Sequence, residues 1–189
     1  MSGPVTDPID GEQAVPASDP IDGRVGEGWA GEVPNGSHIN LVLARRGSPT
    51  AAAAATVMAS PRPGHLPILA CLKGAGTPVR PATIVVNKVT VENEQQERLT
   101  WGAAQLGIAQ GVLDAVAEGR LDAGEAADVL VLVAVWVDPE AHDETAVRMA
   151  NREATRAAIA DALDPPAADA VRALADQREE AGNAFYSGG

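Results

Sequence analysis

The sequence predicts a single-domain α/β protein, a two-layer α/β sandwich in which helices pack on a mixed β-sheet. Two observations carry this prediction. The chain has 189 residues, of which 46% are hydrophobic, and this is enough for one sizeable core but not for two. Stretches with the alternating or continuous apolar pattern of strands are interleaved with stretches of helical period, in the order β-α-β-β-α-β-α-α.

The first half of the domain is predicted to form a strand, a helix and two more strands. The first strand is "HINLVLARR" (38–46), and a helix follows with Ser48 as its N-cap and Pro49 in the first helical position, where a missing N–H costs nothing. The run "LPILACL" (66–72) is continuously apolar and predicts a buried strand. The stretch "ATIVVNKVTV" (82–91) alternates and predicts the third strand.

The second half is predicted to form a helix, a central strand and two final helices. Residues 100–118 have helical period, and Gly119 is a predicted C-terminal cap. The predicted apolar stripe of this helix is Leu106, Ala109, Leu113 and Val116. A short helical link at 122–128 leads to "VLVLVAVWV" (129–137), which is apolar on both faces and therefore central. The two final helices, divided by "DPP", are predicted at about 143–163 and 168–181.

Both ends of the chain are predicted to lie outside the domain, which is expected to span 24–182. Residues 1–23 are rich in Pro, Gly and acids, and they contain "DPIDG" twice, at 7–11 and 19–23. Such a segment buries too little apolar surface to offset the entropy of ordering it, so a flexible extension is expected. The repeat is either a low-complexity feature or a docking motif. A loose tail is expected over 183–189.

The net charge, the cysteine count and the apolar runs of the chain argue against several kinds of partner and location. The formal net charge of −12 argues against nucleic acid or an anionic membrane as the main partner. Cys71 is the single cysteine and lies in an apolar run, so it is expected to be a small buried hydrophobe rather than part of an internal disulfide. No signal-peptide pattern and no apolar run of roughly 20 residues is present. A cytoplasmic protein is therefore expected.

Polar side chains interrupt two of the predicted strands. His38 and Asn40 are two residues apart, so both point to the same face of a strand, and Lys88 and Thr90 repeat that spacing. Burying a lysine or a histidine in a sheet is costly unless it is paired or lines a wet cleft. Gln105 adds an amide near the start of the long helix. Each residue alone has a structural explanation, but together they predict a polar site.

The pattern of possible ligands argues against a metal or phosphate site. The three histidines are scattered, and no His or Cys falls at a metal-ligand spacing. The stretch "KGAGT" at 73–77 lacks the rest of a phosphate-loop motif and predicts an ordinary turn. Ser48 has no neighbouring base in the sequence, so it is predicted to cap a helix rather than to act as a nucleophile.

Five stretches resemble the formaldehyde-activating enzyme family in order: "VGEGWAGEVPNGSHINLVLARRGSP", "NKVT", "GAAQLGIAQGVLDAVAEG", "EAADVLVLVAVWV" and "NREAT". The resemblance runs from Val25 to Arg178 with one small insertion near 73–80. It implies a ribosomal-protein domain-2-like fold with a left-handed βαβ crossover, assembled as a homopentamer with clefts between subunits. It also implies a hydro-lyase that condenses formaldehyde with tetrahydromethanopterin, as co-substrate, to methylene-tetrahydromethanopterin and water, without a metal.

The resemblance also assigns site residues. The family's general-acid histidine falls on His38, and its pterin-contacting positions fall on Leu69, Lys88, Thr90 and Gln105. Histidine suits the role because its unperturbed pKa lies close to neutrality, so it can protonate the hydroxyl of a carbinolamine and release water. Lys88 and Gln105 are expected to orient the pterin through its hydrogen-bonding edge, and Leu69 is expected to pack on its flat face.

The chain departs from the family pattern at three positions. Asn40 stands where the family has Asp and is expected to contact the substrate, Val86 stands in place of Phe, and Asp138 stands in place of His. These changes leave two alternatives open beside the expected activity. One is a catalytically altered homologue that binds a pterin or a formaldehyde adduct. The other is a relative that delivers formaldehyde to a different amine acceptor.

Overall fold

The structure is a computed structural model that describes residues 21–72, 77–180 and 182. The strands in these residues are β1 (Val25–Ala30), β2 (Ser37–Arg45), β3 (Ile68–Leu69), β4 (Cys71–Leu72), β5 (Thr77–Pro78), β6 (Ala82–Asn87) and β7 (Val129–Val137). Five of them form one sheet in the order β1-β2-β7-β6-β3, and β4 and β5 form a separate pair. The sheet is mixed, because β6 runs parallel to β7 while the other neighbours are antiparallel.

The helices are α1 (Pro49–Met58), α2 (Glu94–Glu97), α3 (Gln105–Ala117), α4 (Glu144–Leu163) and α5 (Ala168–Asp176). A π-helical segment, Arg98–Ala104, joins α2 to α3, and α3 and α4 pack together on one face of the sheet. The shorter α1 lies against β2 on the other face, where it borders Val42 and Leu132. A mixed sheet carrying helices in one α/β unit is thus confirmed.

Several predicted elements lie where the sequence placed them. Ser48 caps α1, since its hydroxyl accepts the amide of Ala51 at 3.0 Å, and Pro49 opens the helix. β7 is central, because it pairs along its whole length with β2 on one side and over 130–135 with β6 on the other. Gly119 follows α3 with a φ of 73°, the left-handed conformation that suits glycine after a helix.

The strand β1 is missing from the predicted order, and the reason is its two glycines. Gly26 and Gly28 weaken the strand pattern in "VGEGWA", since glycine favours neither strand nor helix. They are needed because α4 crosses β1 at close range. A Cβ on Gly28 would lie 2.1 Å from the carbonyl oxygen of Ala154. Because glycines stand where α4 packs closely on β1, the sequence lacks the hydrophobic pattern that would have predicted this strand.

The prediction of one continuous buried strand over 66–72 is wrong. The segment divides into β3, which pairs with β6, and β4, which pairs with β5. Buried Ala70 marks the change, because its amide bonds the carbonyl of Thr83 while its carbonyl accepts the amide of Val79. Leu69 and Cys71 are exposed or half-buried, as expected at the edge of a sheet.

One further prediction about helices holds only in part, and a second is wrong. The buried face of α3 consists of Gly107, Ile108, Ala109, Gly111, Val112 and Ala115. Of the predicted stripe, Ala109 is buried, Leu113 and Val116 are half-buried and pack against the core, and Leu106 is half-buried. Glycines at 107 and 111 let α4 approach, since a Cβ on Gly107 would lie 2.2 Å from the carbonyl oxygen of Arg148. The link at 122–128 consists of turns rather than helix.

The predicted extension overlaps the described residues only at 21–23, since 1–20 lie outside them, as do 73–76 and 183–189. Asp22 is tied to the start of α1. Its carboxylate accepts the backbone N–H of Arg45 at 2.8 Å, the hydroxyl of Ser48 at 2.7 Å and that of Thr50 at 3.1 Å. The second "DPIDG" therefore ends in residues that contact the domain.

Candidate active site

A cluster of polar side chains lies on the face of the sheet that α3 and α4 leave open. His38 is on β2, opposite Trp29 of β1 and Trp136 of β7. Its strand neighbours Ser37 and Ile39 are buried on the helical side, so the alternation of the strand turns His38 outward. The imidazole keeps about 18% of its side-chain surface exposed.

The imidazole of His38 is held by two residues of β1. Its Nε2 lies 2.6 Å from Oε1 of Glu27, and the indole N–H of Trp29 donates to the same oxygen at 3.1 Å. The Trp29 ring stacks on the imidazole with centroids 3.8 Å apart and an angle of 8° between the planes. The ring of His38 is therefore fixed in both position and orientation before any ligand binds.

Lys88 approaches His38 from the opposite side. Its backbone N–H donates to the carbonyl of Val135 at 2.7 Å, which continues the pairing of β6 with β7 and directs the side chain to the open face. Its Nζ lies 3.1 Å from Nδ1 of His38 and donates to Oδ1 of Asn40 at 2.5 Å. The structure thus brings together three of the predicted site residues: His38, Asn40 and Lys88.

The charges of this cluster perturb one another. Burial lowers the pKa of His38 and the nearby charge of Lys88 lowers it further, while the hydrogen bond and charge of Glu27 act to raise it. Burial also lowers the pKa of Lys88, against an opposing effect of Glu27. Hydrogen bonds from Trp29 and then His38 lower the pKa of Glu27. The charge of Lys88 therefore disfavours the protonated form of His38, while the carboxylate of Glu27 favours the protonated forms of both groups.

The floor next to the cluster is apolar. A groove of about 140 Å³ runs beside Asn40, and its other lining residues are Val25, Leu41, Val42, Val57, Val86, Leu132 and Ala134. Leu69 lies opposite Ile84 at the β3 edge of the sheet and is 37% exposed. The site therefore combines an acid–base cluster with apolar surface on which a flat ring can pack.

Thr90 follows Lys88 in the chain and contacts a different group. Its hydroxyl lies 3.0 Å from Nε2 of His65, whose Nδ1 lies 2.9 Å from the carbonyl oxygen of Asn87. Because a carbonyl oxygen only accepts, Nδ1 carries the proton in neutral His65 and the hydroxyl of Thr90 donates to Nε2. Thr90 therefore keeps its lone pairs free for a donor on a ligand.

Gln105 stands apart from the cluster. Its amide donates to the carbonyl of Cys71 at 2.8 Å, and it borders a cavity of about 510 Å³ together with Glu144 and Arg148. Cys71 belongs to the segment at the β3 edge, and three strand spacings of about 4.8 Å each separate β3 from β2. Within one chain, the structure does not bring Gln105 to His38.

Sequence reasoning missed Glu27, Trp29 and Trp136. The first two belong to β1, so without that strand nothing linked them to His38. Their spacing of two residues, with glycines between and before them, was the available signal, because it places both on the open face. Trp136 was predicted in a central strand, and its ring lies 6.2 Å from that of Trp29.

Cys71 does not belong to this cluster. Cys71 is half-buried rather than fully buried as predicted, and its thiol donates to the carbonyl of Leu69 at 3.2 Å. Within 21–72 and 77–180, no three His, Cys, Asp or Glu side chains are grouped so that they could hold a metal ion.

None of the helices in this part of the chain is long and apolar enough to cross a bilayer.

Comparison with known proteins identifies the family. A profile of the family described as formaldehyde-activating enzyme (Fae) matches residues 25–185, which include both the cluster and Gln105. The chain belongs to this family. The family predicted from the sequence is therefore confirmed, and the cluster around His38 is the candidate active site of a formaldehyde-activating enzyme family member.

Individual relatives are of two kinds. The chain is 41% identical over 140 residues to a 5,6,7,8-tetrahydromethanopterin hydro-lyase of Methanosarcina barkeri, covering 74% of this chain and 78% of that protein. It is 36% identical over 155 residues to a bifunctional enzyme Fae/Hps of Methanosphaera stadtmanae, covering 82% of this chain and 38% of the relative. A similar bifunctional enzyme of Methanococcoides burtonii is 34% identical over 140 residues, covering 74% and 35%. The chain thus spans less than half the length of these two bifunctional relatives.

Proposed function

We propose that this protein is a hydro-lyase that condenses formaldehyde with tetrahydromethanopterin to give methylene-tetrahydromethanopterin and water. Family membership supports the reaction class, and the name of the Methanosarcina barkeri relative supports the acceptor. The observation that carries the proposal is a histidine fixed between a carboxylate and an amine, with Glu27 at one ring nitrogen and Lys88 at the other. Such a group can hold and deliver a proton at neutral pH.

The role proposed for His38 is that of general acid. When the pterin reacts with formaldehyde directly, its secondary amine adds to give a carbinolamine, whose hydroxyl leaves as water only after it is protonated. His38 supplies that proton, and the second amine of the pterin then closes the ring. Since Trp29 and Glu27 already hold the imidazole, little ordering of this group remains to be done when substrate binds.

The remaining predicted residues are proposed to bind the pterin. Asn40 and Lys88 present an amide and an amine beside His38, and Thr90 presents the free lone pairs of its hydroxyl. Leu69 offers apolar surface for the flat face of the pterin. Gln105 is the exception, because it lies at the far edge of the sheet.

The position of Gln105 supports an assembled protein. A ligand that touches both His38 and Gln105 is most simply held between two copies of the chain, one contributing the cluster and the other contributing the cavity beside Gln105. We therefore propose a closed homo-oligomer, and a homopentamer on the resemblance to the family. Light scattering at micromolar concentration tests this, and a monomer would contradict it.

Two finer assignments complete the proposal. The fold is proposed to be the ribosomal-protein domain-2-like type with a left-handed βαβ crossover, and the direct connection of the parallel neighbours β6 and β7 through α3 supports a βαβ unit. A cytoplasmic location is proposed on the acidic composition and on a single cysteine that does not call for an oxidising compartment.

One feature of the cluster favours testing a second candidate acceptor. Asn40 stands where the resemblance to the family places an Asp, so the cluster presents an uncharged amide at this position. Purified protein should be mixed with formaldehyde and with either tetrahydromethanopterin or tetrahydrofolate, and formation of the methylene product should be followed. We expect a rate above the spontaneous one with tetrahydromethanopterin. Acceleration only with tetrahydrofolate would redirect the acceptor, and no acceleration with either would contradict the proposal.

A further inference from the structure

We propose that Lys88 is a covalent carrier of formaldehyde, which its amine takes up as an iminium and passes to the substrate amine while His38 serves as the acid. The geometry that points to this is the contact of Nζ with both Nδ1 of His38 and Oδ1 of Asn40, at 3.1 Å and 2.5 Å. Transfer to a pterin rests on the proposed function. Uptake of formaldehyde by Lys88 does not, because it involves only formaldehyde and this chain.

The pair of Lys88 and His38 is arranged to provide a neutral amine beside an acid. An ammonium has no lone pair, so a lysine can attack formaldehyde only after it loses its proton. Glu27 faces the imidazole from β1, and its hydrogen bond and charge favour the charged form of His38 against burial and the charge of Lys88, which lower the pKa of His38. In that charged form both ring nitrogens donate. Nδ1–H then points at Nζ of Lys88, and the amine accepts. When the proton that the two groups share is on His38, Lys88 is therefore a nucleophile and His38 is an acid at the same time.

The surroundings of Lys88 favour the neutral amine. Burial lowers the pKa of Lys88 and Glu27 opposes this effect, while the neighbours on β2 and β7 include the uncharged side chains of Asn40 and Trp136. An Asp at position 40 would attract the ammonium form and hold its proton. The amide oxygen of Asn40 accepts the same hydrogen bond without a net charge. The uncharged amide of Asn40 therefore favours a reactive lysine.

Each step of the proposed transfer balances. The lone pair of Lys88 Nζ adds to the carbonyl carbon of formaldehyde, the oxygen takes a proton and the nitrogen loses one, which gives Lys88–NH–CH2OH. His38 then protonates the hydroxyl, water leaves, and Lys88–NH+=CH2 remains. A substrate amine adds to the carbon and loses its proton, Lys88 is protonated and expelled, and the second substrate amine closes on the carbon with loss of a proton. No oxidant or reductant takes part.

The chain offers an internal comparison for testing uptake, because its two lysines are Lys73 and Lys88. Limiting formaldehyde and cyanoborohydride, without any pterin, would reduce each iminium to a stable methylated amine, which peptide mapping by mass spectrometry locates. For each lysine, the methylation rate in the folded protein is divided by the rate in the urea-unfolded chain, which corrects for the intrinsic reactivity of that lysine. We expect Lys88 to be methylated several-fold faster than Lys73 after this correction at neutral pH. Equal or slower methylation of Lys88 would overturn the proposal.

Two variants of Asn40 separate charge from hydrogen bonding. Asn40→Asp adds a carboxylate beside Lys88 and should slow its methylation markedly at neutral pH, with the difference closing at alkaline pH as the ammonium titrates. Asn40→Ala removes the hydrogen bond without adding charge and should slow methylation less or not at all. Equal methylation rates in Asn40→Asp and the unchanged protein would contradict the assigned role of charge.

Lys88→Arg tests the same step during turnover. Arginine can still donate to Oδ1 of Asn40, but its guanidinium stays protonated in proteins and cannot form the iminium. We expect kcat for methylene-pterin formation to fall about 100-fold or more while KM for the pterin changes little. A lysine that only binds substrate would show the reverse, a raised KM with kcat kept, and that result would overturn the carrier role.

The outcomes distinguish this inference from the proposed function. Fast methylation of Lys88 with no acceleration of any pterin reaction would support a reactive lysine and contradict the proposed acceptor. Acceleration with tetrahydromethanopterin that survives in Lys88→Arg would leave the proposed function standing and remove Lys88 as carrier. The trapping experiment uses the unchanged chain, so a variant that fails to fold does not affect it.

Discussion

The two faces of the central sheet use the same strands for different purposes. On β2, residues Ile39, Leu41 and Leu43 face α3 and α4 and are at most 1% exposed. Their neighbours His38 and Asn40 face the other way and remain half-buried. The closed face is aliphatic and dense, whereas the open face combines apolar floor with an acid–base cluster. Alternation along a single strand therefore separates the residues that stabilise the fold from those that carry the chemistry.

The difference between the faces is largest where α4 crosses β1. The closed face of β1 includes Gly26 and Gly28, which have no side chains because the helix backbone occupies that space. The open face of the same strand carries Glu27 and Trp29, both of which contact His38 or each other. A strand with two glycines toward the core can thus still present two functional side chains toward solvent.

The largest effect on stability is expected on the closed face. Leu43→Ala removes a fully buried side chain and should cost about 2–5 kcal/mol of unfolding free energy, because the cavity it leaves is only partly refilled. Val42→Ala is the matched change on the open face, one residue away and half-buried, and should cost clearly less. Chemical denaturation of both variants measures this. Equal losses would show that the open face is packed as tightly as the closed one.

The largest effect on turnover is expected on the open face. His38→Ala removes the proposed acid and should lower kcat about 100-fold or more, equivalent to roughly 2.7 kcal/mol of barrier, with little change in melting temperature. Steady-state kinetics on a sample checked by thermal unfolding measures both effects. Turnover that stays unchanged in a folded His38→Ala variant would remove the residue from the mechanism.

How much of this could be predicted from the sequence differs between the two faces. The closed face of β2 and β7 was predictable, because its apolar residues recur with strand period. The juxtaposition of His38, Asn40 and Lys88 was only partly predictable. Spacing placed His38 and Asn40 on one face, but nothing in spacing says that β6 runs two strands away and turns Lys88 toward them.

The parts that could not be predicted depend on tertiary contacts. β1 was missed because its glycines are required by the close approach of the α4 backbone, which lies more than 100 residues later in the chain. The break at Ala70 depends on β3 and β4 finding different partners, and a local apolar run carries no information about partners. The separation of Gln105 from His38 likewise follows from strand order and not from the chemistry of either residue.

Glu27→Gln tests a smaller effect within the open face, the influence of β1 on the acid. The amide keeps the shape and can still accept from Trp29 and His38, but it removes the carboxylate that raises the pKa of His38. The pKa of His38 should therefore fall further, so that the acid form is lost at lower pH. We expect kcat/KM to decline at lower pH than in the unchanged protein and to be about 10-fold lower at pH 7.

The pH profile of kcat/KM decides whether Glu27 acts through charge. Glu27→Asp is the control, because it keeps the charge with a shorter side chain. A profile that shifts in Glu27→Gln but not in Glu27→Asp supports a charge effect on His38. Identical profiles for Glu27→Gln and the unchanged protein would show that the carboxylate only holds the ring in place.

The smallest effect is expected where α1 covers the other half of the open face. Asp22 accepts hydrogen bonds from the backbone of Arg45 and the hydroxyls of Ser48 and Thr50, and the first two of these lower its pKa most. A carboxyl whose pKa is lowered by folding stabilises the protein above its unfolded pKa of about 3.9, and this contribution disappears as the pH falls through the folded value. Asp22→Asn should therefore melt about 3 °C lower at pH 7, with the difference closing below about pH 4. Deleting 1–20 is the control that leaves Asp22 in place and should change the melting temperature little. If the deletion destabilises the protein as much as Asp22→Asn does, the anchor of α1 extends into the acidic segment, and the open face is secured by more than this one carboxylate.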